Sequence, residues 1–201
     1  MLDVGANDGP FARQLREAGY HGRIVSFEPQ AAAYEALCRA AAADPLWECR
    51  NVALGVDEGE VALNIAANSS SSSLLEMSPL HVASAPESAY VGREQVSIQR
   101  LDSLAGELGI AEATVYLKVD VQGFELDVLR GAGAALERAV LVEAELSLVP
   151  LYKGAPRFEE VLNYLAELGF GVLSLEPVFI DPADGRLLQV DGILGRSGRP
   201  T

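Results

Sequence analysis

The chain predicts an α/β fold built on a mostly parallel sheet, and three observations carry that prediction. Strand-like and helix-like segments alternate from the first residue onward. The runs Met1–Val4, Ile24–Phe27 and Val115–Asp120 are largely apolar, as expected of strands covered on both faces. The first run enters a turn, Gly5-Ala-Asn-Asp-Gly9, and the second ends in Glu28-Pro29. A glycine turn after one strand and an acid at the end of the next is the pattern that holds a nucleoside-bearing ligand at the carboxyl edge of a parallel sheet.

Each element follows in order. A helix over Phe11–Ala18 succeeds the first strand, and one over Ala31–Ala43 succeeds the second, with Ala, Leu and Tyr spaced for one apolar face. Asp44-Pro45 ends it, because proline cannot continue a helix. Trp47–Asn51 reads as the third strand. Glu60–Ala66 alternates apolar and polar residues after the Asp57-Glu-Gly59 turn and reads as another. The serine run Asn68–Ser73 reads either as a flexible linker or as a mobile loop over the site. Pro79–Gly92 reads as loop. Val96–Leu101 is a strand, and Asp102 caps a helix ending near Gly109. Val115–Asp120 is the fourth parallel strand, Gly123 marks a turn, and Glu125–Leu136 is one helix. Val140–Glu145 is the fifth parallel strand and Arg157–Leu168 a helix stopped by Gly169. Val172–Leu175 and Leu187–Leu194 form an antiparallel hairpin about Asp181-Pro-Ala-Asp-Gly185. No repeat and no second domain are visible: residues 1–195 read as a single domain and 196–201 as a disordered tail.

Composition narrows the partners. The formal net charge is −14, which repels phosphate backbones and anionic membranes, so nucleic acid is not an expected partner. No apolar run reaches the length of a membrane span, and no signal peptide is present, which makes the cytoplasm the expected location. Met1 already lies in the first strand, where a leader segment covering the site is expected to come before it, so the sequence reads either as truncated or as given a late start. The two cysteines, Cys38 and Cys49, lack the spacing of a zinc site or a disulfide framework and read as buried free thiols.

The glycine turn discriminates among ligands. A dinucleotide site calls for G-x-G-x-x-G, so that a pyrophosphate can sit on the helix N-terminus. Here the spacing is G-x-x-x-G, and the turn carries Asp3, Asn7 and Asp8. Acids there repel a pyrophosphate and suit a ligand bearing an ammonium and a sulfonium, as S-adenosylmethionine does. On that reading Gly5 and Ala6 present backbone groups to the amino-acid end of the ligand, Asp3 and Asn7 hold its charged ends, and Gly9 completes the cofactor-binding turn. Glu28 accepts the two ribose hydroxyls, one per oxygen, beside Pro29. Asn51, with Val52 and Ala53, flanks the adenine. A tight turn with solvated acids is the plainer alternative.

Asp120 ends the fourth parallel strand, beside the point where the doubly wound order diverges and ligands bind. It can orient a hydroxyl, accept its proton or ligate a metal. Lys118 alternates with it on the strand. Glu125 falls in the first turn of the next helix, where a dipole-compensating acid is equally expected. Glu143 and Glu145 share one strand face, and Glu145 is the second candidate base. His21 lies far from the carboxyl edge. His81, in the long loop, reads as a surface residue within reach of the site.

These segments resemble the FkbM family of S-adenosylmethionine-dependent methyltransferases. The resemblance rests on Asp3-Val-Gly-Ala-Asn-Asp-Gly9, Phe27-Glu-Pro29, Asn51-Val-Ala-Leu-Gly55, Ser72-Ser-Leu74, Leu101-Asp-Ser103 and Leu117–Ala132. The last stretch, with Lys118-Val-Asp-Val-Gln-Gly123, is the most specific. The resemblance implies a Rossmann-like class I methyltransferase with a seven-stranded, mostly parallel sheet and an antiparallel last strand. It also implies O-methylation of a small-molecule hydroxyl on a sugar, glycolipid or polyketide-type product, releasing S-adenosylhomocysteine. Gln122 stands where many members carry an acid, which weakens any claim of a divalent metal at that stretch, and no metal ligand is predicted. A homodimer is compatible with the sequence. The competing readings are an inactive cofactor-binding module of a larger biosynthetic assembly, an RNA or protein methyltransferase, and, least of all, a nicotinamide-dependent dehydrogenase.

Overall fold

The structure, a computed structural model, describes residues 1–196. Its elements are β1 (Leu2–Val4), α1 (Pro10–Glu17), β2 (Ile24–Phe27), α2 (Ala31–Ala41), β3 (Trp47–Arg50), β4 (Ala53–Leu54), β5 (Gly59–Ala66), α3 (Pro79–Ser84), β6 (Tyr90–Gln99), α4 (Leu101–Leu108), β7 (Val115–Val119), α5 (Glu125–Arg130), α6 (Gly133–Arg138), β8 (Ala139–Ser147), α7 (Phe158–Glu167), β9 (Phe170–Ile180) and β10 (Leu187–Arg196). The main sheet has seven strands in the order β3-β2-β1-β7-β8-β10-β9. Strands β3, β2, β1, β7 and β8 run parallel, and β10 runs antiparallel to both its neighbours. The fold class expected from the sequence is therefore the one observed. The order reverses between β1 and β7, which opens a crevice at their carboxyl ends.

Alternation along the strands sorts the two faces. Leu2, Val4, Leu117, Val119, Val142 and Ala144 face one side, where they join Val128, Leu129 and Leu165 in the larger core cluster. Asp3 faces the other side, and the register places Lys118 and then Glu143 beside it on successive strands. Toward the amino edge of that face, Met1, Ile24 and Trp47 pack with Ala12 and Leu37 of α1 and α2. One face is thus apolar except at the β3 edge, where Glu48 and Arg50 lie, while the other carries a charged row across its middle.

Several boundaries differ from the sequence reading. A second sheet, β4-β6-β5, forms above the crevice and takes up the three strands that the main sheet does not use. Part of the expected Pro79–Gly92 loop is helical: Ser78 accepts a bond from the His81 amide, and Pro79 fixes the first turn. The helix expected over Glu125–Leu136 divides into α5 and α6 at Gly131-Ala132. A Cβ on Gly131 would lie 2.0 Å from the Gly55 carbonyl oxygen, so packing against β4 governs that break. Asp102 does not cap α4, whose cap is Arg100; its carboxylate instead accepts from the Ala134 amide at 2.8 Å. The hairpin turn at Asp181–Gly185 is as expected, with Gly185 at φ 77°. Strand β10 continues through Arg196, and residues 197–201, including the rest of the expected tail, lie outside the described residues. Among the described residues no helix is long and apolar enough to cross a membrane.

Candidate active site

The crevice between β1 and β7 holds a cavity of about 150 Å³. Of the residues singled out in the sequence, Asp3, Gly5, Ala6, Asn7, Glu28, Pro29, Val52, Ala53 and Asp120 line it. Gly9, Asn51 and Glu145 do not.

The turn after β1 is shaped by contacts with protein rather than by an open face. Gly5 has φ 81°, and a Cβ there would stand 1.8 Å from the Asp120 carbonyl oxygen, so only glycine lets β1 and β7 close on one another. The Gly5 and Ala6 amides both donate to the Phe27 carbonyl at 3.0 Å, and the Asn7 amide donates to Glu28 Oε2 at 2.8 Å. These three N–H groups are turned inward to bind β2 and its acid, so what Gly5 and Ala6 can offer a ligand in the cavity they line is not their amides. Gly9, at φ 85°, is a packing glycine: a Cβ would meet Trp47 and Leu37 below 3.0 Å.

Glu28 is 7% exposed, and its two oxygens accept the Asn7 and Gln30 amides, each at 2.8 Å. Burial raises its pKa to about 7 against the pull of those amides. One lone pair on each oxygen remains for a further donor, which keeps the geometry of a diol acceptor. Asn51 serves this acid from behind. Its amide donates to the Glu28 and Pro29 carbonyls at 2.9 and 3.0 Å, so its nitrogen is spent on fixing the turn and is not offered to a base.

Asp3 is fully buried. Its Oδ2 accepts from Ser26 Oγ at 3.0 Å, while Oδ1 has no partner among the described residues. Burial pushes its pKa up, opposed by Lys118 and Ser26. An unpaired buried carboxylate oxygen beside a cavity is a costly feature for an empty site and a favourable one for a cation. With the two acceptor oxygens of Glu28, it fits a ligand that carries a ribose and a cationic amino-acid end.

Asp120 lies at the floor. Its Oδ2 receives Lys118 Nζ at 3.1 Å and its Oδ1 receives Gln122 Nε2 at 3.0 Å. Lys118 is buried, with Nζ 5.1 Å from the Phe11 ring centre. Burial works against its charge, yet Asp120, Asp3 and Glu143 hold its pKa above the usual lysine value. Glu143 takes the Tyr116 hydroxyl. Glu125 is also buried; it accepts the Gly123 and Val121 amides at 2.9 and 3.2 Å and so closes the β7–α5 turn. Glu145 lies behind Gln122, whose Nε2 it receives at 2.8 Å, and Gln189 Nε2 reaches the same oxygen at 2.7 Å. Burial first, then Asp120, Glu125 and Asp191, hold the Glu145 pKa well above the usual carboxylate range.

The serine run forms one wall. Ser69, Ser70, Ser72 and Ser73 line the cavity. Ser72 Oγ donates to Gln30 Oε1 at 3.3 Å, Ser73 Oγ donates to the Gln122 carbonyl at 2.7 Å, and Asn64 and Ser73 pair as a β-bridge. This loop is folded against β5 and the β7 turn rather than spanning as a linker. His81 differs from both its sequence readings: it is buried against Tyr152 and Phe179, with ring centres 5.1 and 5.4 Å away. Cys38 and Cys49 are free and half-buried. Sequence reasoning missed Phe11, which lines the cavity from α1, and Tyr152, which reaches Gln122 from the segment after β8, because neither lies in a motif. Among the described residues no group of three or more His, Cys, Asp or Glu side chains is placed to hold a metal ion.

The Methyltransferase FkbM domain profile matches residues 3–172 of this chain. The chain belongs to the FkbM methyltransferase family. It is 27% identical over 173 residues to the 2-O-methyltransferase NoeI of Sinorhizobium fredii, a match that covers 82% of this chain and 70% of NoeI. The crystal structure of the methyltransferase FkbM from Methylobacillus flagellatus aligns over 96% of this chain and 42% of its own, with a TM-score of 0.58 at 16% identity. Aeropyrum pernix fibrillarin, solved with natively bound S-adenosyl-L-methionine, aligns over 95% of this chain and 64% of its own, with a TM-score of 0.51 at 14% identity. This FkbM-type chain therefore spans less than half of the first of those solved chains, and both likenesses are of fold. It carries an FkbM-type methyltransferase domain.

Proposed function

We propose that this FkbM domain methylates a hydroxyl group of a small molecule, a sugar, glycolipid or polyketide-type product. One observation carries the reading: Asp120 stands at the cavity floor between Lys118 and Gln122, on the far side of the crevice from the Glu28 diol acceptor. The name of NoeI, a 2-O-methyltransferase, supports oxygen as the acceptor atom.

Glu28 would hold the ribose hydroxyls, Val52 and Ala53 would pack on the base, and Asp3 would take the cationic amino-acid end. When bound, S-adenosylmethionine supplies a methyl group already activated by its sulfonium. What the protein adds is alignment, exclusion of water and a place for one proton. The two Asp120 oxygens each hold one protein donor and keep a lone pair for the acceptor hydroxyl. Asp120 would accept the proton of the acceptor hydroxyl and then release it to solvent. Lys118, buried and fixed against Phe11, holds that carboxylate in place. The serine wall and the second sheet cover the cavity from above.

The test is calorimetric titration with S-adenosylmethionine, S-adenosylhomocysteine and NAD, followed by a mass-shift screen against hydroxylated glycosides, glycolipids and polyketides. Binding of both adenosyl ligands but not NAD, with a 14-dalton product that disappears in Asp120→Asn, is the expected result. Adenosyl binding without turnover on any acceptor class would favour an inactive module instead.

A further inference from the structure

Gln122 is held in a backbone conformation that costs it energy. Its φ is 55°, in the left-handed region where glycine is at ease and a long side chain is not. The side chain explains its retention. A single carboxamide makes three bonds to residues 2, 23 and 30 positions away: Nε2 donates to Asp120 Oδ1 at 3.0 Å and to Glu145 Oε2 at 2.8 Å, and Oε1 lies 2.7 Å from the Tyr152 hydroxyl. Both amide hydrogens and the carbonyl are in use. The Tyr152 proton also has the Ser71 carbonyl at 3.2 Å, and the shorter contact assigns it to Gln122. That bond fixes which way the amide faces, because a flipped amide would present its oxygen to two carboxylates. The Gln122 carbonyl is tied in turn to Ser73 Oγ at 2.7 Å.

We propose that Gln122 is the positioning residue of the Asp120–Glu145 pair: its amide, oriented by Tyr152, fills the space between two carboxylates and leaves Asp120 aimed into the cavity. The proposal rests on the reading of Asp120 as the base. An acid at this position would set a third carboxylate between the two, with Lys118 already paired to Asp120; the glutamine does the work with a neutral group. The charged groups that face the pair are Lys118 on β7, Glu125 on α5, Glu143 on β8 and Asp191 on β10. Asp3 and Glu28 look on Asp120 from the other wall of the cavity.

The experiment is a carboxyl-carbon NMR titration of the whole chain, labelled in Asp and Glu, with the Glu145 signal assigned by Glu145→Gln. Three variants are compared with the parent chain. Gln122→Gly suits the left-handed backbone, so its melting temperature should hold or rise, while Glu145 loses a donor and titrates about one pH unit higher. Gln122→Glu, nearly isosteric, should move the Glu145 titration further in the same direction. Tyr152→Phe frees the amide to turn and should give a smaller upward move. Where an acceptor has been found, Gln122→Gly should lower kcat with little change in KM. An unmoved Glu145 titration in both Gln122 variants would overturn the proposal, as would a lower melting temperature in Gln122→Gly with the titration unchanged. Failure of the methyl-transfer reading would show separately, as an absence of turnover in the parent chain.

Discussion

The two walls of the crevice are built by different means. On the β1–β2 side, backbone amides satisfy the functional acid: Glu28 takes the Asn7 and Gln30 N–H groups, and Asn51 ties down the carbonyls behind it. On the β7–β8 side, side chains satisfy side chains: Asp120 is held by Lys118 and Gln122, and Glu145 by Gln122 and Gln189 from β10. A backbone-built wall needs a fixed turn and short sequence spacing. A side-chain-built wall needs residues that the fold gathers from far apart. The first should fail when the turn is deformed, the second when one chemical group is exchanged.

The point where the walls meet should show the largest effect. Gly5→Ala places a methyl group on the Asp120 carbonyl and forces a side chain into φ 81°. Backbone strain and the clash together should cost about 3 kcal/mol or more, which is a large part of a typical domain's stability. Chemical denaturation should show that loss, with both adenosyl binding and turnover gone. A stable Gly5→Ala protein that still bound S-adenosylmethionine would mean that the two strands need not meet at the turn.

Next in size is a change that breaks one wall and spares the other. Asp120→Asn keeps the shape of the β7 edge but removes the proton acceptor. Turnover should fall about 10²- to 10⁴-fold, while affinity for S-adenosylhomocysteine changes by less than about threefold. A parallel loss of affinity and turnover would place Asp120 on the ligand side and dissolve the distinction between the walls.

Legibility follows the same division. The glycine turn, Glu28 and Asp120 could be read because each belongs to a contiguous motif whose backbone geometry the residues themselves dictate. The mostly parallel character of the sheet followed from the alternation of strand and helix segments. Gln122, Tyr152 and Gln189 could not be read as partners, since nothing local relates positions so far apart. Two misreadings have long-range causes as well. The division of the helix at Gly131 depends on β4 lying against it, and His81 was read as a surface residue because the apolar pocket of Tyr152 and Phe179 is assembled from two other elements. Asn51 was placed correctly at the strand end but assigned to a ligand, when its amide is spent on the turn.

Titration gives a third, smaller contrast. Burial raises Glu28 and Glu125 to about 7 and Asp191 to about 6. Groups whose pKa is raised by folding bind protons more tightly in the native state. Their contribution to stability is full below the unfolded value near 4.5 and is lost as pH rises through 6 to 7. The ligand-free protein should therefore melt at a higher temperature near pH 5.5 than near pH 8. The acids with lowered pKa, half-buried Asp44 and Glu48 and exposed Glu76 and Glu159, act in the opposite sense, but only below about pH 4.5 and weakly. Ligand affinity should run against stability: if Glu28 must be ionised to accept two hydroxyls, S-adenosylhomocysteine should bind about tenfold more tightly at pH 8 than at pH 6. In Glu28→Ala the affinity should be weak and flat with pH. A flat profile in the parent chain would mean that Glu28 is already charged or does not touch the ligand.

The smallest expected effect is at Asn51, and it tests the backbone-built wall most selectively. Asn51 is exposed, lies outside the cavity and spends its amide on two carbonyls of the Glu28-Pro29 turn. Asn51→Ala removes two hydrogen bonds near solvent, where water can replace them, so the cost to stability should be about 1 kcal/mol. Adenosyl affinity should fall roughly fivefold, because Glu28 loses its fixed aim while keeping its two amide partners. The pH at which affinity changes should stay where it is, since the burial of Glu28 is untouched. Asn51→Asp sharpens the result: it keeps the size of the side chain but turns an acceptor toward two carbonyls, and it should weaken binding more than alanine does. If Asn51 instead touched the adenine, both variants would lower affinity for S-adenosylhomocysteine but leave affinity for an analogue lacking the base unchanged. A loss shared by that analogue is the signature of a turn held from behind.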